Sequence, residues 1–269
     1  MNRLDQAIRK HGATPLLGVA AYSYNPAFFE IAALLGYKVA WIEMEHTFIT
    51  FAEAADLCRI ASGLGLLTMI RIPDTRRETV LKALECGPDM LDLPMANDPE
   101  TVAEFVRHAK FPPEGIRGFF VNRAVHYGLM GKVADEQRKL NEELCLLIQV
   151  ETREAVERVE ELCRVPGVDG VFLGPGDLSA SLGVPGETTH PFVREAAERT
   201  IRAARSYGKR VAVATSLADL EFWVSQGLDL LYPIHDIACL KLGAQTALEQ
   251  TYAALRNAAG VPSANTEKA

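Results

Sequence analysis

Eight short runs of almost uninterrupted apolar residues punctuate this 269-residue chain, and a stretch with helical periodicity follows each of them. The runs fall at residues 16–20, 39–42, 67–70, 90–93, 146–150, 171–173, 211–214 and 230–232. A strand that is apolar on both faces belongs in a sheet covered on both sides, which is the habit of parallel sheets. Helical patterns at 27–35, 51–63, 76–86, 99–110, 153–163, 191–207, 217–226 and 237–256 supply the cover, and 135–143 reads as an extra helix. Gly36 is placed to cap the first of these. Residues 119–121 read as a short extended piece. Eight strand–helix units in this length favour a closed (β/α)8 barrel over an open doubly wound sheet. The absence of GxGxxG after the first strand argues the same way. We expect one domain over residues 1–258 and a frayed polar tail over 259–269.

Charge and composition exclude several classes. A net charge of −7, with no basic stripe, argues against a nucleic-acid partner. No segment approaches the roughly 18 apolar residues a membrane span needs. No apolar signal core follows Met1, so a cytoplasmic protein is expected. Five cysteines (Cys58, Cys86, Cys145, Cys163, Cys239) are scattered singly and read as reduced thiols.

In such a barrel the active site lies at the C-terminal ends of the strands. Those positions hold Glu43, Glu45 and His46 after strand two, Arg71 after strand three, Gln149 and Glu151 after strand five, and Asp177 after strand six. Each has a plain alternative: Glu45 as a solvated carboxylate, Arg71 as an acid's structural partner, His46 as a satisfied loop residue. Their concentration at one end favours function. Glu151 and Asp177 end neighbouring strands about 4.8 Å apart, so they can converge on one hard cation and leave positions open for substrate. A carboxylate-only set points to Mg²⁺ or Mn²⁺, with Co²⁺ as a substitute. No HxH, HExxH or Cys/His cluster suggests zinc. His11 and His108 fall in helical stretches expected to be exposed, and His190 precedes a helix start. His126 and His235 lie in loops that could face the site. None of the eight runs contains lysine; Lys38 and Lys209 precede strands, at the wrong end for Schiff-base chemistry.

Glu45-His46, Arg71, the run Phe111-Pro112-Pro113-Glu114-Gly115-Ile116-Arg117-Gly118, Gln149-Val150-Glu151-Thr152 and Gly174-Pro175-Gly176-Asp177-Leu178-Ser179 together resemble the HpcH/HpaI aldolase/citrate lyase family. The resemblance extends from about Gly18 to Gln245. It implies a barrel of the phosphoenolpyruvate/pyruvate-binding type, assembled as a hexamer or trimer, that cleaves 4-hydroxy-2-oxo acids to pyruvate and an aldehyde. It implies metal ligation by Glu151 and Asp177, and carboxylate binding by backbone N–H groups at Gly176 and Asp177. Arg71 would stabilise the enolate, Gln149 would place the ligand, and His46 would act as base through a water on the cation.

The chain departs from the family pattern at two acids. Where relatives read Ile-Asp-Gly-Glu-His, this chain has Ile42-Glu43-Met44-Glu45-His46, so the longer Glu43 replaces the aspartate that orients the histidine. A second aspartate, supplied by a neighbouring subunit in relatives, falls at Glu85. Ala214 or Thr215 stands where relatives carry a bulkier apolar residue, which would widen the pocket. Two alternatives stay open: a same-family transferase condensing an oxaloacetate- or acetyl-CoA-derived enolate with a 2-oxo acid, and a binding protein with a disabled site.

Overall fold

The computed structural model describes residues 1–12 and 15–258, so the expectation for the tail at 259–269 lies outside the described residues. Eight parallel strands close into a barrel in sequence order. They are β1 (Leu16–Ala21), β2 (Val39–Glu43), β3 (Leu67–Arg71), β4 (Met90–Leu93), β5 (Cys145–Val150), β6 (Gly170–Leu173), β7 (Arg210–Ala214) and β8 (Leu230–Tyr232). Each apolar run in the sequence forms its strand within a residue or two.

The helices are α1 (Arg3–His11), α2 (Pro26–Leu35), α3 (Phe51–Gly63), α4 (Arg77–Glu85), α5 (Pro99–Ala109), α6 (Val133–Glu143), α7 (Arg153–Glu157), α8 (Val159–Arg164), α9 (Pro175–Ser181), α10 (Pro191–Ser206), α11 (Leu220–Ser225) and α12 (Asp236–Ala258). Their starts have local causes. Thr50 and Glu53 form a reciprocal capping box on α3, and Asp98 accepts the Thr101 N–H ahead of Pro99 on α5. Gly36 ends α2 in the left-handed conformation (φ 97°), as the sequence suggests.

Four local expectations are corrected. Residues 119–121 form no strand, because a closed barrel leaves no free edge for them to join. The helix expected over 153–163 breaks at Arg158, whose backbone leaves the helical region (φ −106°, ψ 12°), giving α7 and α8. Helix α9 follows β6 directly, where no helix was expected. His108 is buried rather than exposed: it shares the inward face of α5 with Phe105, and its Nδ1 lies 3.0 Å from the Thr75 carbonyl oxygen.

Two apolar layers result. The larger lies between strands and helices. The smaller fills the barrel with Leu16, Val39, Met69, Met90, Leu147, Leu230 and the trio Trp41, Phe172 and Tyr232, whose ring centroids are 5.2 to 5.6 Å apart. Gly18 is required beside this trio, because any side chain there would collide with the Tyr232 ring. Helix α1 closes the barrel's N-terminal mouth, sinking Leu4 into the inner layer. Ion pairs fix it there: Arg3 to Asp89 (2.6 Å) and Arg210 to Asp5 (2.7 Å).

The outer surface keeps large apolar side chains exposed on α2 (Ile31, Leu34, Leu35) and α12 (Leu240, Leu248, Tyr252, Leu255). No helix among the described residues is long and apolar enough to cross a membrane.

Candidate active site

Strand alternation builds the site. With Trp41, Met69, Met90 and Leu147 pointing into the barrel, the residues two positions on (Glu43, Arg71, Asp92 and Gln149) point inward one layer higher. Register places Glu43 beside Arg71 and Arg71 beside Asp92. Four polar groups therefore crown an apolar barrel above the aromatic trio.

Arg71 is the hub, almost fully buried, with its guanidinium 5.1 Å from the Trp41 ring centroid. Its Nε donates to Glu43 Oε2 at 2.5 Å and lies 3.3 Å from Glu45 Oε2. Its Nη1 donates to Gln149 Oε1 at 3.3 Å. Burial works against the Arg71 charge, but Glu43 and Glu45 outweigh it and hold the guanidinium firmly protonated. Gln149, oriented by Arg71, donates from Nε2 to Glu151 Oε2 at 2.7 Å.

Glu43 does more than pair with Arg71. Its Oε1 accepts the N–H of Glu45 at 2.6 Å and of His46 at 3.0 Å. The longer acid thus shapes the loop carrying His46 through the backbone. The imidazole itself is turned to Glu45, with His46 Nε2 3.7 Å from Glu45 Oε2. Burial raises the Glu45 pKa, against the lowering effect of Arg71 and His46.

Glu151 is buried at the end of β5. Its Oε1 accepts the Met95 N–H at 2.7 Å, from a residue held at φ 51° after β4. Burial raises the Glu151 pKa to about 7 in spite of that bond and of Arg71, and the charge of Asp177 adds to the rise. Gly174 leaves room for this arrangement: a Cβ there would sit 2.7 Å from Glu151 Oε2 and 2.8 Å from Gln149 Nε2. Gly176 and Asp177 are exposed in the first turn of α9, where free backbone N–H groups favour an anion.

This donor set fits a hard divalent cation. Glu151 and Asp177 offer oxygen only, and a neighbouring positive charge would relieve the buried Glu151 carboxylate. Among the described residues, no group of three or more His, Cys, Asp and Glu side chains converges as a ligand cluster. Two protein carboxylates would leave most of the coordination sphere to substrate and water.

The structure thus brings together Glu43, Glu45, His46, Arg71, Gln149, Glu151 and Asp177. It does not bring Glu85 to them: the residue ends α4, just before the N-terminal end of β4, on the opposite rim. Sequence reasoning missed two members. Asp92 is 0% exposed with neither carboxylate oxygen hydrogen-bonded, and burial raises its pKa well above the usual carboxylate range. Its signal was an acid in phase with Arg71 inside a four-residue apolar strand. Tyr22, after β1, packs edge-on against Trp41 at 6.1 Å, and burial pushes its pKa to about 12. His235 leans on Tyr22 at 4.8 Å, at the same mouth, whereas His126 pairs with Glu136 at 2.9 Å at the far end of the barrel.

Known proteins with this architecture carry the assignment further. The profile of the HpcH/HpaI aldolase/citrate lyase family matches residues 18–228. A 2-keto-3-deoxy-L-rhamnonate aldolase of Klebsiella pneumoniae is 36% identical over 195 residues, 72% of each chain. A hydroxypyruvate/pyruvate aldolase of Sagittula stellata is 38% identical over 168 residues, 62% of this chain and 65% of that one. The crystal structure of an HpcH/HpaI aldolase/citrate lyase family protein from Burkholderia cenocepacia superposes with a TM-score of 0.85 at 29% identity, covering 94% of this chain and all of that one. The chain therefore belongs to the HpcH/HpaI aldolase/citrate lyase family and is an aldolase, a carbon–carbon lyase.

Proposed function

We propose that the protein is a divalent-metal-dependent pyruvate aldolase that reversibly cleaves a 4-hydroxy-2-oxo acid to pyruvate and an aldehyde. The observation that carries this reading is the buried chain Glu43–Arg71–Gln149–Glu151. It fixes one guanidinium and one carboxylate through a shared glutamine at the C-terminal mouth of the barrel. The relatives named as aldolases of a 2-keto-3-deoxy sugar acid and of hydroxypyruvate/pyruvate support a 2-oxo acid as the donor half.

Glu151 and Asp177 would hold Mg²⁺ or Mn²⁺, with Co²⁺ as a functional substitute. When bound, the cation acts as a Lewis acid on the keto group of the donor. The N–H groups of Gly176 and Asp177 bind its carboxylate. Arg71, kept charged by Glu43, faces the oxygen on which negative charge develops. His46, presented by the Glu43-shaped loop and steadied by Glu45, takes the proton of the C4 hydroxyl. The C3–C4 bond then breaks, its electron pair moves into the pyruvyl fragment as an enolate, and the aldehyde departs. Return of the proton to C3 gives the methyl group of pyruvate.

Glu85, remote from this chain's own site, would serve a neighbouring subunit's site in a homo-oligomer. The apolar surface exposed on α2 and α12 supports such self-association.

The test is exchange of the pyruvate methyl protons for deuterium, followed by proton NMR in the presence of Mg²⁺ or Mn²⁺. The reading requires exchange that EDTA abolishes and added metal restores. Exchange indifferent to EDTA would overturn metal dependence, and no exchange at all would remove pyruvate as the donor.

A further inference from the structure

The Phe111–Gly118 motif is not used by the catalytic mouth. It folds back on the end of α5: Ile116 N–H donates to the Arg107 carbonyl at 2.8 Å and Arg117 N–H to the Lys110 carbonyl at 2.9 Å. Gly115 must lack a side chain, because a Cβ there would strike the carbonyl oxygens of Arg107 and Lys110. The motif's product is a buried arginine. Arg117 is 6% exposed, with its guanidinium 4.4 Å from the Phe111 ring centroid. Among the described residues its Nε has no hydrogen-bond partner, and Nη2 makes only a long 3.4 Å contact with the Leu84 carbonyl.

A buried guanidinium with unspent donors is costly unless something supplies the missing partner. Arg117 lines a 440 Å³ cavity between α4, α6 and the loop before α6. Asp89 and Leu144, which also line it, immediately precede β4 and β5. The cavity therefore lies on the N-terminal rim, away from the catalytic mouth. Its ionic groups do not balance. Arg3 engages both acids of the wall, Asp89 at 2.6 Å and Glu143 at 3.1 Å. His126 is paired with Glu136. Arg117 and Arg123 have no carboxylate within 4 Å among the described residues, and Arg123 spends one donor on the Cys86 carbonyl at 2.9 Å. Gly87 (φ 80°) lets Arg123 lie against the chain, since a Cβ there would be 2.8 Å from Arg123 Nη1. Two guanidiniums with free N–H groups thus face one partly open cavity. Burial, against the opposing charge of Glu85, brings the Arg117 pKa down to about 10.

We propose that this cavity is a binding site for a small oxyanion, with Arg117 and Arg123 as its two guanidinium ligands. Guanidinium forks suit the paired oxygens of phosphate and carboxylate alike. The remaining wall (Leu84, Leu129, Met130, Leu140) accommodates a short hydrocarbon body attached to the anion. The site lies on the rim opposite this chain's own Arg71, and its assignment does not depend on the aldolase reading.

Calorimetric titration of the full-length protein with inorganic phosphate, and separately with succinate, tests the assignment. Wild type is expected to show one saturable anion event that survives Arg71→Ala, because Arg71 belongs to the opposite rim. Arg123→Gln, at a half-buried position, is expected to weaken that event at least tenfold. Arg117→Gln is expected to do the same, with its fold verified by thermal melting. Saturation by phosphate alone assigns a phosphoryl ligand, and saturation by succinate a carboxylate. Absence of saturable binding for both anions, unchanged affinity in Arg123→Gln, or loss of binding in Arg71→Ala would each overturn the proposal.

Discussion

Arg71 and Asp92 are register partners at the ends of β3 and β4, both turned into the barrel, yet no hydrogen bond joins them. Arg71 is committed to Glu43 and Gln149, and the Asp92 carboxylate is left without a donor. Burial outweighs the neighbouring Arg71 charge and raises the Asp92 pKa well above the usual carboxylate range, so the carboxyl keeps its proton near neutral pH.

This predicts that Asp92→Asn stabilises the protein near neutral pH. The folded-state pKa of Asp92 is raised by burial, whereas the unfolded value is ordinary. Stability is therefore lost as pH rises above the unfolded pKa, where only the unfolded chain ionises. The neutral amide escapes that loss. Thermal melts should show the variant ahead by about 1–3 kcal/mol at pH 7, with the gap closing towards pH 4. A gap that widens on acidification would show that Asp92 is ionised in the folded protein.

Arg71→Lys should separate turnover from affinity. Lysine keeps the charge but cannot bridge Glu43 and Gln149 at once. Steady-state kinetics should show kcat falling by roughly 10²–10³ with a much smaller change in KM, the pattern for a group that acts on developing charge. Equal damage to both constants would mean that Arg71 serves binding alone.

Metal affinity should depend on pH through Glu151. Its pKa of about 7 in the metal-free protein makes proton and cation competitors. Mn²⁺ affinity measured by calorimetry should fall roughly tenfold per pH unit below about 7 and level off above it. Glu151→Gln should bind Mn²⁺ weakly and with little pH dependence. A flat profile for the wild type would place the ion elsewhere.

Gly174→Ala is the smallest change predicted to disable the site. The added methyl would press on Glu151 and Gln149 together. Repacking costs about 1–3 kcal/mol, and we expect at least a tenfold loss of Mn²⁺ affinity with the barrel still folded by circular dichroism. Retained affinity would mean that these side chains can yield without losing the ion.

Self-association is predicted to use α2. Leu34, 88% exposed, should tolerate Leu34→Glu in a monomer, whereas a packed interface would reject the charge. Light scattering should report a smaller particle for the variant than for wild type. Equal masses would exclude this face.

The barrel was legible because its strands are apolar on both faces and eight such runs alternate with helices, a count that favours closure over an open doubly wound sheet. Glu43, Arg71, Gln149 and Glu151 were legible for the same reason: each is a polar residue at the end of an apolar strand. Asp92 escaped because it lies within the short run 90–93, where strand phase matters more than strand end. Helix α9 went unread because Gly174 and Gly176 are weak helix formers, although Pro175 suits a first helical turn. His108 was misjudged because polarity was given more weight than its place on the Phe105 face of α5. The inverted location of Glu85 could be inferred only once α4 was known to run away from the mouth.

The packed rings of Trp41, Phe172 and Tyr232, with α1 beneath them, turn the barrel into a blind well. Whatever enters must leave by the way it came. On the proposed function, a 2-oxo acid seated against Arg71 and Gln149 would be the deeper fragment, so the aldehyde would depart ahead of it, and the plugged barrel floor would impose an order on product escape.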